Sequence, residues 1–185
     1  MISSFGSVAV AGYTIGIRIF VFVILPAWGL SGAAATMVGQ NLGAGKPERA
    51  ERSVWLTCFY TMIFLGLIGV AFICVPGAIA HLFTSDPMVS SYAIDCLRII
   101  GYGNLTYAFG MVMLQAFNGA GDTVTPTVIN TIGFLFCEIP LAWALAFPAH
   151  MRVRGVFASI PIAESLIALM GLFMFTRGTW KKRKI

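Results

Sequence analysis

The sequence predicts an all-α protein, a polytopic helical membrane bundle with five transmembrane helices, and three observations carry that reading. Of 185 residues, 58% are hydrophobic and only 10% are charged, so the solvent for most of the chain is lipid rather than water. The apolar residues gather into five stretches, about 11–38, 53–80, 88–117, 124–148 and 155–176, each near or above the ~20 residues with which a helix crosses a bilayer. Barrel strands would be about half as long and would alternate in polarity, and nothing here alternates.

The first span carries Arg18 near one end, Pro26 near its middle and a run of small residues, Gly29, Gly32, Ala33, Ala34 and Ala35, that lets a neighbouring helix approach closely. It closes on Gln40-Asn41-Leu42-Gly43-Ala44-Gly45, where glycine suits a helix end, and Pro47 opens the next helix with Glu48 and Glu51 near its positive pole. The second span has no charged residue over 53–80, ends near Pro76-Gly77 and reads as scaffold. Asp86-Pro87 is a turn. The third span is unusually polar, with Asp95, Arg98, Asn104, Thr106, Tyr107 and Gln115, which predicts that it faces other helices or a wet cavity. Asp95 and Arg98 stand three apart, so a pair on one helix face is expected.

The third span closes on Gln115-Ala116-Phe117-Asn118-Gly119-Ala120-Gly121-Asp122, followed by Thr125-Pro126. Gly119 and Gly121 are expected to supply the positive φ that ends the helix, Thr125 to cap the next one and Pro126 to take its first position. Gln and Asn before Gly-Ala-Gly, with a Pro soon after, occur in both phrases, which suggests an internal repeat of two helices. The fourth span contains Asn130, Glu138 and Pro140, and the fifth Pro161 and Glu164. Both glutamates fall near mid-span, where a carboxylate costs roughly 2.5 kcal/mol or more unless it faces a cavity, finds a partner or takes up a proton. Each lies within three residues of a proline, which frees a backbone carbonyl one turn earlier and so helps to build a polar pocket. Glu164 and Glu138 are therefore the candidate pathway acids, and Asp95, Arg98, Tyr107 and Asn104 of the third span complete the candidate ion or substrate pathway. A protonated Glu tying two helices together is the structural alternative.

Net charge is +5, and the excess is local rather than spread over a face that could hold nucleic acid. Lys46, Arg49 and Arg52 sit in the first connection, and Arg177, Lys181, Lys182, Arg183 and Lys184 in a basic tail, 177–185; the second connection, 81–86, has no Lys or Arg. The positive-inside rule places the tail and first connection in the cytoplasm of a multi-pass protein, at the cost of putting Arg152 and Arg154 outside. Cys58, Cys74, Cys96 and Cys137 lie inside apolar spans without CxxC spacing, so they read as small core residues, with no metal site, catalytic site or disulfide frame suggested. Gly119-Ala120-Gly121-Asp122 matches the GxGD pattern of intramembrane aspartyl proteases, but Asp122 sits in a turn and the other membrane Asp, Asp95, lies toward the opposite end. Gly43-Ala44-Gly45-Lys46 has Pro47 where a phosphate loop needs Ser or Thr.

Leu25-Pro26-Ala27-Trp28-Gly29, Val38-Gly39-Gln40-Asn41 through Pro47-Glu48-Arg49-Ala50, and Gln115 to Pro126 followed by Ile139-Pro140-Leu141-Ala142 resemble, in order and spacing, the C-terminal lobe of multidrug and toxic compound extrusion transporters. The resemblance implies one of two six-helix lobes, H+- or Na+-coupled export of small amphipathic, often cationic compounds by alternating access, no other cofactor, and residence in the cell (inner) membrane among its lipids. Five spans are present, so the N-terminal lobe, fused or separate, and nearly all of the helix before the first span would be supplied from elsewhere. A truncated bundle that does not transport, or a subunit of a split transporter, is the alternative. The mid-helix acid of some sodium-coupled members falls at about Tyr107, which has no carboxylate.

Overall fold

The computed structural model describes residues 1–182. A short 3-10 turn, Ile2–Phe5, leads into α1 (Ser7–Gly43), α2 (Pro47–Cys74), a six-residue α3 (Pro76–His81) and α4 (Pro87–Gly119). The fourth span, Val124–Ala146, is composite: α5 (Val124–Asn130), a π-helical stretch (Thr131–Glu138) and α6 (Ile139–Ala146). Then come α7 (Arg152–Thr176) and a closing 3-10 turn, Thr179–Lys182. Arg183 and Lys184 of the expected basic tail lie outside the described residues.

Four of the five long helical segments are apolar enough over their length to cross a membrane; α4, at 33 residues, is long enough but more polar. Its position explains its composition. The most extensive interfaces all involve α4, against α1, α2 and α7, and Ser90, Gly101, Gly103, Asn104 and Gly110 are buried among those neighbours. Close crossings set the spacing: a Cβ on Gly12 would meet the Tyr92 Cβ at 2.5 Å, one on Gly69 the Gly101 carbonyl at 2.8 Å, and one on Gly103 the Pro161 Cβ at 2.5 Å. Without a hydrophobic force between helices in lipid, such close van der Waals packing is the main attraction available.

The two Gly-Ala-Gly turns have the same backbone. Lys46 N–H donates to Asn41 O and Gly45 N–H to Leu42 O, while Asp122 N–H donates to Phe117 O and Gly121 N–H to Asn118 O. Both are Schellman endings, with φ of 70° at Gly45 and 73° at Gly121. The repeat is thus real in the turns but not in the amides, since Gln40 and Asn41 correspond to Ala116 and Phe117. Gly119 does not supply a positive φ as expected. It is the last residue of α4, and a Cβ there would sit 2.7 Å from the Ala35 Cα, so its role is close approach to the small-residue run of α1.

Asp122, not Thr125, closes the next helix: its carboxylate accepts from Thr125 N–H at 3.1 Å and Thr125 Oγ1–H at 2.7 Å. Pro126 is the third residue of α5 rather than the first. The expected Asp95–Arg98 pair is also replaced. Asp95 binds Arg154 on α7, with Nε at 2.8 Å and Nη2 at 3.2 Å, and Arg98 is exposed. Three residues apart on α4, Arg98 turns away while α7 brings Arg154 to the carboxylate, so the pair joins two helices instead of one face. Cys58 and Cys96 are buried as expected, whereas Cys74 is exposed at the end of α2.

Candidate functional site

Pro161 breaks the backbone ladder of α7 and lies against Gly103 of α4. One turn on, Glu164 is buried at 7% exposure. It borders two spaces. A narrow gap of about 10 Å³, near the size of one water, lies between Glu164, Pro161, Phe20, Ile100, Asn104 and Tyr107. A larger cavity of about 350 Å³ is lined by Glu164, Tyr107, Gln115, Asn118, Asn130 and Trp28, with Met111, Leu114, Pro126, Phe134 and Ile167. A mid-span carboxyl group next to a proline break therefore opens onto a space with amide, phenol and indole groups.

Glu138 ends the π-helical stretch, half-buried, and is within electrostatic reach of both Glu164 and Tyr13. Gly133, in the same stretch, is pressed against Ile167, and Pro140 follows two residues after Glu138. The π register widens the helix where Pro140 cannot donate a bond, and wide turns of this kind concentrate at functional sites. Tyr13 is held by a stacked ring, Phe157, at 5.8 Å, and Tyr107 by an edge contact with Phe20 at 5.4 Å.

Glu164 and Tyr107 thus border the same two spaces, and Glu138 stands within electrostatic reach of Glu164. Gln115, expected to face other helices or a wet cavity, and Asn118, expected as a turn residue, join them: Asn118 Nδ2 donates to Gln115 Oε1 at 2.8 Å on the wall of the cavity. Asn104 borders the narrow gap, yet its Nδ2 donates to Leu65 O at 3.3 Å, which fastens α4 to α2. Asp95 and Arg98 lie toward the far end of α4. Gln40, Asn41, Gly43 and Gly45 stay in the first turn, where Asn41 Nδ2 donates to Met37 O at 2.8 Å. Tyr13 and Trp28 were not singled out from the sequence. Both lie on a helix that is apolar all round, so periodicity offered no face to prefer; their amphipathic rings within a mid-membrane run were the available signal. Among the described residues no group of three or more His, Cys, Asp or Glu side chains could hold a metal ion.

Long apolar helices packed through small residues, with a carboxyl group beside a proline break facing an open cleft, define a polytopic helical membrane bundle. The chain belongs to the MatE family, whose model matches residues 1–144. It is 30% identical over 182 residues to a probable multidrug resistance protein NorM of Caulobacter vibrioides, covering 96% of this chain and 38% of that protein. It is 27% identical over 181 residues to the corresponding protein of Thermotoga maritima, covering 97% and 39%. The crystal structure of the eukaryotic MATE transporter AtDTX14 superposes with a TM-score of 0.87 at 22% identity, over 95% of this chain and 39% of that one, a likeness of fold. The chain therefore spans about two fifths of the length of these relatives.

Proposed function

We propose that the chain is the C-terminal part of an H+- or Na+-coupled efflux antiporter for small amphipathic, often cationic organic compounds, and that Glu164 carries the coupling. One observation supports this above the others: a buried carboxyl group, beside a proline break, opens onto a cavity of about 350 Å³ with aromatic and amide walls. Trp28 and Tyr107 offer π faces to a cation, and Glu164 offers a charge that a coupling ion or an organic cation can neutralise, one at a time. Glu138, on the facing π-helical stretch, is the second acid of this reading. In alternating access a second lobe closes the cavity on one side and opens it on the other, so an N-terminal lobe, fused or separate, is part of the proposal. The location that goes with it is a cell (inner) membrane with the C-terminus in the cytoplasm.

The test is Glu164→Gln in the assembled two-lobe transporter, because glutamine imitates the neutral carboxyl group without adding charge. Folding and insertion should persist while the pH or sodium dependence of dye export flattens, with a smaller effect from Glu138→Gln. A glutamate that only ties helices together would instead lower the melting temperature and leave the export profile unchanged. Reconstituted by itself, the chain should show no ion-driven efflux, and robust efflux from the isolated monomer would contradict the need for a second lobe.

A further inference from the structure

A second cavity shares no lining residue with the one at Glu164. It is a crevice of about 260 Å³ between α2 and α7, floored by α4 and walled by Met62, Leu105, Phe109, Ala168, Leu169 and Leu172. Two hydroxyls also reach it, but the backbone satisfies both: Ser165 Oγ–H donates to Pro161 O at 2.7 Å and Thr106 Oγ1–H to Gly103 O at 2.9 Å, with the two hydroxyl oxygens 3.1 Å apart. The walls ask for no polar partner. Leu105 and Leu169 are 48% and 64% exposed, so the crevice opens outward toward lipid.

At one end it meets an aromatic shelf. Phe109 lies 6.2 Å from Trp55, Trp55 meets Phe175 at 5.8 Å, and Phe175 stacks on Trp180 at 4.7 Å. Cations stand beyond the shelf. Arg52 is exposed one turn before Trp55 on the same face of α2, and Lys181 lies 5.8 Å from the Trp180 ring, bonded to Glu51. Below Arg52, the exposed residues Leu56, Phe59, Ile63, Leu67 and Val70 of α2 run in a helical stripe.

We propose that this crevice binds one anionic phospholipid, with an acyl chain between α2 and α7 and its phosphate at Arg52 and Lys181. Charge complementarity picks the headgroup, since the cations sit where a span emerges from the hydrocarbon, and the satisfied hydroxyls pick an apolar chain below it.

Native mass spectrometry of the chain extracted from its membrane tests this, with phosphatidylglycerol and phosphatidylcholine of identical acyl chains as the probes. One phosphatidylglycerol per chain should be retained in preference to phosphatidylcholine. Arg52→Gln and Lys181→Gln should each cut that preference about fivefold, and Leu169→Trp, which fills the crevice from an exposed position, should remove retention of both lipids. Equal retention of the two lipids, no stoichiometric lipid, or unchanged retention in Leu169→Trp would overturn the proposal. If the tryptophan variant misfolds, brominated phosphatidylglycerol decides instead: it should quench the fluorescence of a chain whose sole tryptophan is Trp55, and absence of quenching would equally overturn it.

Discussion

Gly43 and Gly119 occupy matching positions in two turns of the same backbone, yet their surroundings differ, and so should their substitutions. Nothing lies within 4 Å of a Cβ built on Gly43, whereas one on Gly119 runs into the backbone of Ala35. Gly119→Ala should therefore cost about 1–3 kcal/mol through forced separation of α1 and α4. Gly43→Ala should be neutral or stabilise by about 0.4–1 kcal/mol through the unfolded chain. Thermal melting of the two variants in detergent measures the difference, and equal melting temperatures would refute the assignment of Gly119 to helix contact. The sequence shows two glycine phrases of the same form; it does not show which glycine touches another helix, because that depends on where α1 lies. For the same reason Asp95 was legible as a charge needing a partner, but Arg154, 59 residues away, was not legible as that partner.

Helix by helix, the apolar runs are largely helical in the structure, but a proline alone does not mark a break, since Pro26 lies inside an uninterrupted α1. What they did not disclose is the π-helical stretch from Thr131 to Glu138, since i→i+5 bonding leaves no hydrophobic period of its own over eight residues. That stretch carries a testable property. A wide turn holds one residue more than an α-helical path needs, so deleting the exposed Leu135 should let the segment relax to α geometry, with membrane insertion and melting temperature largely kept. The same single deletion at Met170 in α7 would rotate everything beyond it by about 100° and should abolish stable expression. Fluorescence-detected size-exclusion profiles after heating compare the two. Loss of the folded peak in both would show that the wide register is indispensable to the fold.

For the whole molecule, both Schellman turns and the Lys181–Glu51 contact gather at one end of the bundle, and the Asp95–Arg154 pair lies toward the other. With the basic residues of the first connection at the turn end, that end is expected to face the cytoplasm. Ser85 and Thr179 are exposed at opposite ends and provide the labelling sites. In a background with the native cysteines replaced, Ser85→Cys should react with an impermeant thiol reagent in intact cells and Thr179→Cys should not; the reverse pattern would invert the orientation. The expected basic tail is also less of a tail than its charges suggested. Trp180 is 1% exposed and its Nε1–H donates to Phe175 O at 3.0 Å, so the chain folds back on the bundle before its last residues.

The central place of α4 has a consequence for how the protein is made. The helix that most of the bundle packs against is also the least apolar of the five, so it is the one whose solitary passage into lipid is least favourable. During synthesis α1 and α2 emerge first and must wait for it, and α4 in turn depends on them for a place to hide Asn104 and its neighbouring polar groups. Substitutions that loosen α4 from its partners should therefore be felt first at the insertion machinery, as chains handed to quality control.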